Sequence, residues 1–320
     1  MRRLLTALSA AVLTAALAGS AVAADTIKIV VPFAAGGPVD AMARILAQEM
    51  QGPLGATIIV ENRGGGGGVI ATEIVARAPA DGKTLLMGSQ GSHVISGVLQ
   101  PHVNYDPVKS FDPIGMVGAV PVLLVANPQL PITNFPSLVA LSKTRKLSYA
   151  SAGAGTVMNI AGELMNAGAG ISVTHIPYRG VGPALNDLIA GHVDLIPADP
   201  PVLLPHVQSK AIRAVALFGK QRLASLPDVP TSVELGYSDM IMENWYGVIA
   251  PAGIPADIAD KLEQAFLTAV KSALVQQHMK VGELTGTLNR KEFTARVERD
   301  VAYWRPTVKK LGISAQGSTP

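Results

Sequence analysis

Short runs of β-branched residues alternate with stretches of helical periodicity from the start of the mature region onward. Thr26–Val31 reads as a strand. It runs into a loop rich in Gly and Pro at 32–38, after which apolar residues recur at Ala41, Ile45, Leu46 and Met50, one face of a helix. A strand at 57–60, the segment Glu61-Asn62-Arg63 with five glycines behind it, a helix at 69–78 and a strand at 84–87 follow. That is β-α-β-α-β, the pattern of a parallel doubly wound sheet. The rhythm restarts with strands at 147–150, 173–176, 193–196 and 212–217, separated by loops at 151–156 and 177–182 and helices at 157–167, 183–190 and 203–208. A second parallel α/β unit is expected there. Two helices close the chain, one at 256–272 with Ile258, Leu262, Ala265 and Phe266 in register, and one at 291–311 with Phe293, Val297, Val301 and Trp304. They have no strands of their own, so they are expected to pack back on the first sheet and make the first domain discontinuous.

The first residues belong to a different pattern. Met1-Arg2-Arg3 is a short basic segment, residues 4–18 are an apolar run, and Ala21-Val22-Ala23 is a small-residue cleavage pattern. The run is shorter than the ~18–20 residues that span a bilayer. A signal peptide over 1–23, cleaved before Ala24, is the reading. No other stretch of the sequence has ~18 consecutive apolar residues, so a soluble secreted product is expected.

Composition removes several function classes. The 320 residues contain no cysteine, which excludes disulfides, thiolate nucleophiles and cysteine-bound metal centres. With 26 basic and 23 acidic residues and 4% aromatics, there is no basic footprint or stacking platform for a nucleic acid. His93, His102, His175, His192, His206 and His278 are scattered, with none at i, i+4 to another, so each is expected to be a surface or hydrogen-bonded histidine rather than a metal ligand. There is no G-x-S-x-G and no G-x-x-x-x-G-K-[ST]. The five glycines 64–68 lack the phosphate-loop lysine and are expected to form a flexible strand-to-helix connection. No enzyme, no metal and no cofactor are expected.

Two loops carry the candidate chemistry. Phe33 to Gly37 and Ser151 to Thr156 each follow a strand and lead into a helix. In open α/β sheets ligands bind beyond the carboxyl ends of the strands, and a helix N-terminus offers free N–H groups and a favourable dipole to an anion. Glycines allow close backbone approach, and Ser151 and Thr156 add hydroxyl donors. Two such loops facing each other across a cleft suit a small carboxylate.

The motifs themselves are familiar. Val31-Pro32-Phe33-Ala34-Ala35-Gly36-Gly37-Pro38-Val39-Asp40, Val60-Glu61-Asn62-Arg63 with its glycines, residues 79–86 (PADGKTLL), residues 149–156 (YASAGAGT), His175-Ile176-Pro177-Tyr178-Arg179-Gly180, Gly191-His192-Val193-Asp194-Leu195, Leu226-Pro227-Asp228-Val229-Pro230-Thr231 and Trp245-Tyr246-Gly247 occur in this order over the whole mature chain. In this the chain resembles the substrate-binding proteins of tripartite tricarboxylate transporters, the Bug family. The resemblance implies an α/β, two-domain periplasmic-binding-protein fold of type II, each domain a sheet flanked by helices, with a ligand cleft between them. Domain 1 would comprise 24–125 and 246–320, and domain 2 would comprise 126–245. It implies a periplasmic monomer that captures a mono-, di- or tricarboxylate, with amino-dicarboxylates and aromatic carboxylates also open, partly through ordered waters, and delivers it to a permease of one large and one small membrane subunit. A ligand-loaded partner for a signalling receptor is the alternative.

Carried over by the resemblance, the ligand-binding residues are Phe33, Ala34, Gly36, Gly37 and Asp40 in the first loop; Ser89 and Ser92 after the third strand; Ser151, Gly153, Gly155, Thr156 and Asn159 around the second loop; Tyr178, Arg179 and Gly180 on its neighbour; and Asp199. Three positions depart from the family pattern. Ala35 replaces a usual proline, Asn159 a usual histidine, and Pro200 a usual amide side chain. Asp199 is expected to hydrogen-bond backbone, with recognition of an amine as the other reading.

Overall fold

A computed structural model describes residues 25–100 and 102–312. The expected signal peptide lies outside them. The described residues fold onto one nine-stranded mixed sheet flanked by helices. The first unit contains β1 (Thr26–Val31), α1 (Pro38–Leu54), β2 (Thr57–Asn62), α2 (Val69–Ala76) and β3 (Thr84–Ser89), with β1 parallel to both β2 and β3. A π-helical turn, Gln90–Ile95, then runs into α3 (Ser96–Leu99). The second unit contains α4 (Phe135–Ser142), β5 (Leu147–Ser151), α5 (Val157–Ala169), β6 (Val173–Pro177), α6 (Val181–Ala190), β7 (Leu195–Ala198), α7 (Pro200–Gln208) and β8 (Arg213–Phe218). Here β5 is parallel to β6 and β7.

Two antiparallel strands join the units. β4 (Phe111–Ala126) pairs through Pro121 with β9 (Glu243–Pro251), and from Val122 onward with β8 on one edge and β7 on the other. β9 also pairs antiparallel with β3. The strand order is therefore β2-β1-β3-β9-β4-β7-β5-β6, with β8 on β4. The sequence reading passed over both joining strands. β4 contains Pro113, Gly115, Gly118 and Pro121, residues that ordinarily end a strand. The register shifts between Pro113 and Gly115 and between Met116 and Gly118 show how they are accommodated, as bulges. Both units are consequently mixed rather than purely parallel.

α1 turns a different stripe to the core than expected. Val39, Met42, Ala43, Leu46, Ala47 and Met50 are buried, while Ala41 and Ile45 lie at its edge. This face packs on α8 (Ala256–Val270), and α9 (Ala273–Gly282) also meets α1. The long α10 (Arg290–Lys310) buries Phe293, Val297, Val301 and Trp304 over β4 and the turn after β3. The C-terminal helices thus return to the first sheet as expected. Asp300 of α10 accepts from Trp245 Nε1 at 2.7 Å and from Arg296, and Arg296 also reaches Glu243. These bonds hold the start of β9, where Asn244 sits, against the helix.

α10 begins with a reciprocal cap. Asn289 accepts the Glu292 N–H at 3.0 Å and Glu292 accepts the Asn289 N–H at 3.1 Å. Asn289→Ala should lower the unfolding free energy by about 1 kcal/mol. Urea unfolding should show a lower midpoint with an unchanged slope, and an unchanged midpoint would remove the cap from the stability of this helix.

Candidate functional site

The first loop is shaped by glycine and by Asp40. Gly36 has φ +87°, a conformation side chains rarely adopt, and Gly37 is the N-cap of α1 with an extended backbone. Asp40, buried in the first turn of α1, accepts the Gly36 N–H at 2.9 Å, the Asn62 amide at 2.9 Å and the Arg44 guanidinium at 3.0 Å. Asn62 also donates to the Phe33 carbonyl at 3.0 Å. Burial pushes the Asp40 carboxyl up, but Arg44, the Gly36 N–H and Asn62 outweigh it and hold it below the usual range.

The second loop is shaped from beneath. Tyr149 stacks on His175 with ring centroids 4.9 Å apart, and its hydroxyl meets Glu163 at 2.6 Å. Ser151 Oγ lies 2.6 Å from His175 Nε2 and accepts the Gly153 N–H at 3.1 Å. Asn159 accepts the Gly155 N–H at 3.0 Å and donates to the Tyr149 hydroxyl at 3.0 Å. Thr156 is the N-cap of α5, its hydroxyl donating to the Gly153 carbonyl at 2.7 Å. Burial lowers the His175 pKa to about 4, so the ring supporting this loop is neutral.

Between the loops is a cavity of about 190 Å³. The first unit contributes residues 33–39, Ser89 and Gly91, the second contributes Ala152, residues 156–158, residues 180–183, Ala198, Asp199 and Val202, and β9 contributes Asn244. The starts of four helices, α1, α5, α6 and α7, therefore meet at one place. α6 begins at Gly180, with φ +131° and no side-chain cap, so its first N–H groups remain unclaimed by a capping side chain. Among the described residues no Lys, Arg or His lines the cavity, and the one ionisable wall residue is Asp199. The volume is below the ~300–1,000 Å³ of clefts for drug-sized ligands, so the occupant has few heavy atoms.

Of the residues singled out from sequence, Phe33, Ala34, Gly36, Gly37, Ser89, Thr156, Gly180 and Asp199 line the cavity. The others stand behind it or away from it. Asp40, Ser151 and Asn159 brace the loops as described. Ser92 forms a reciprocal cap with Ser89. Gly153 and Gly155 adopt positive φ, at +131° and +77°, in the turn. Tyr178 points its hydroxyl at Asp187, 2.6 Å away, and Arg179 is exposed.

Asp199 departs from its expected role. Its side chain makes no backbone bond; Oδ2 accepts from Asn244 Nδ2 at 2.8 Å and from the Tyr246 hydroxyl. Burial raises its pKa against those two donors.

The sequence reading missed Asn244, Met158, Val202 and residues 181–183. Asn244 carried no signal because β9 itself was not foreseen. The glycine run is the expected strand-to-helix connection, from β2 to α2, and it also touches the second loop. Gly67 abuts the second loop, and Ser96 Oγ lies 3.1 Å from the Gly67 carbonyl and 3.3 Å from that of Gly155. Gln100 Nε2 donates to the Gly66 carbonyl at 3.0 Å. Among the described residues no group of three His, Asp or Glu is arranged to hold a metal, and no helix is long and apolar enough to cross a membrane.

Residues 42–313 match the family model described as the tripartite tricarboxylate transporter family receptor. The chain is 34% identical over 321 residues to the protein BugT of Bordetella pertussis, covering 98% of each chain. Among solved structures, the periplasmic binding protein BugD superposes with a TM-score of 0.84 at 34% identity, covering 90% of this chain and 98% of that one. MatC from Rhodopseudomonas palustris, solved with bound malate, superposes with a TM-score of 0.82 at 33% identity, covering 88% and 98%. With its periplasmic-binding-protein fold and a match running nearly end to end, the chain belongs to the tripartite tricarboxylate transporter receptor family, the Bug solute-binding proteins.

Proposed function

We propose that this protein is a periplasmic receptor that encloses a small carboxylate between two domains, 24–125 with 246–320 and 126–245, and hands it to the large and small membrane subunits of a tripartite tricarboxylate-type transporter. It acts by binding rather than by catalysis. The observation that carries the reading is the convergence of the starts of α1, α5 and α6 on one small cavity without a basic side chain. An anion there is held by backbone N–H groups and helix dipoles, which needs no lysine or arginine. The malate in MatC supports the choice of a carboxylate. Because the walls come from both units, the ligand has differential affinity for the form in which they meet, which is what shifts a population toward closure.

The test is a thermal-shift comparison of butyrate and succinate with their amides. An acid at 100 times its Kd should stabilise the protein by about 2.7 kcal/mol. Its amide, uncharged and short of one acceptor oxygen, should leave the melting temperature in place. Small-angle scattering should show compaction with the acid alone. Equal shifts by acid and amide would overturn the carboxylate reading.

A further inference from the structure

The far wall of the cavity holds two buried acceptors without donors. Asp199 is 8% exposed and Asn244 6% exposed, and Asp199 Oδ1 and Asn244 Oδ1 have no hydrogen-bond partner. Both residues line the cavity. A buried polar atom left unpaired is costly, so a pair of them on a binding cavity describes what the ligand must supply.

The local sequence leaves Asp199 free for this. It is the N-cap of α7, where an aspartate normally accepts N–H groups of the first turn. Pro200 and Pro201 have no N–H, and the Val202 N–H is taken by the Asp199 main-chain carbonyl. The carboxylate makes no cap and is held by Tyr246 and Asn244 through Oδ2 alone. Asn244 spends its amide N–H on that contact, which leaves its own Oδ1 as the second bare acceptor.

The geometry points to a zwitterionic ligand: a small carboxylate that also carries an ammonium group, the carboxylate at the starts of α1, α5 and α6 and the ammonium N–H groups shared by Asp199 Oδ1 and Asn244 Oδ1. This rests on the carboxylate reading above and narrows it. An ammonium has three donors and can serve both oxygens, whereas a hydroxyl has one. It also neutralises the one charged wall residue of a cavity without basic side chains. A second ligand carboxylate would instead bring like charge to Asp199.

Calorimetry on the purified protein tests this with two matched pairs, L-aspartate against succinate and 4-aminobutyrate against butyrate, with L-malate as the hydroxyl counterpart. In at least one pair the amino acid should bind tenfold or more tightly than its partner, and L-aspartate should exceed L-malate. Asp199→Asn should erase that advantage by weakening the amino acid and not the amine-free acid. Amine-free acids that bind as tightly as the amino acids would overturn the inference and leave the carboxylate reading intact. So would an Asp199→Asn variant that weakens both members of a pair alike, since that marks a residue which braces the wall without reading the ligand. No binding by any of the acids would remove both readings. If Asp199→Asn fails to fold, the paired comparison in the unaltered protein decides alone.

Discussion

Gly67→Ala should weaken binding of the tightest acid in this panel by roughly five- to hundredfold, while Gly66→Ala should leave it nearly unchanged. Both glycines are left-handed, at φ +66° and +58°, so an alanine at either place carries a similar backbone penalty of about 1–2 kcal/mol. Their surroundings differ. A Cβ on Gly66 would meet the Val69 Cβ at 3.6 Å, an ordinary contact within its own unit. A Cβ on Gly67 would collide with the Ala154 carbonyl oxygen, where the two halves touch. Overpacking of this kind costs about 1–3 kcal/mol and is incurred only when the halves meet. Because the ligand binds between them, that energy is subtracted from binding. The backbone penalty cancels, being present with and without ligand. Melting temperatures of the two unliganded variants should agree, and calorimetry should separate them. Equal affinities would show that the glycine run takes no part in closure.

The parts of the fold that were legible are those governed by local periodicity. β1 and β6 come from runs rich in β-branched residues, β3 and β5 from short apolar stretches bounded by turn residues, and α5, α6, α8 and α10 from apolar residues three and four apart. β4 and β9 were not legible because they are antiparallel crossing strands. β4 in particular tolerates Pro113 and Gly115 by bulging, and nothing local announces that a distant strand will take up the pairing. The site follows the same division. Loops that follow a strand and open a helix can be located from sequence, and Gly36, Gly37 and Thr156 do border the cavity. Which way a side chain faces depends on partners far along the chain. Ser151 turns to His175, 24 residues away, and Asp40 to Asn62, 22 residues away, so both brace loops instead of lining the cavity. Asp199 and Asn244 lie 45 residues apart and become a pair only when β9 passes the start of α7.

Acidification from pH 7.5 to 4 should destabilise the unliganded protein by about 3 kcal/mol through His93 alone. This histidine is 0% exposed, packed edge-on against Phe111 with centroids 4.6 Å apart. Its Nε2 lies 2.8 Å from the Pro107 carbonyl, so the proton is on Nε2. Its Nδ1 is buried without a partner and has nothing to receive a second N–H. Burial lowers the pKa from 6.5 to about 4, against the pull of the Pro107 carbonyl and Asp106. The sign follows from proton counting. Below pH 6.5 the unfolded chain protonates this ring and the folded chain does not, so each unit of acidification favours unfolding until the folded ring also titrates near pH 4. His175 acts in the same direction, with a smaller effect because it is partly exposed to solvent. Asp199 and Asp300, raised by burial, act in the opposite direction: the folded state takes up their protons first. The His93 share is isolated by difference. His93→Gln keeps a side-chain N–H that can reach the Pro107 carbonyl but cannot titrate. Urea unfolding at pH 7.5 and pH 4 should give the unaltered protein a loss about 3 kcal/mol larger than that of His93→Gln. Equal losses would mean that the folded protein admits a charged ring at this position, either by repacking around Nδ1 or by opening it to water.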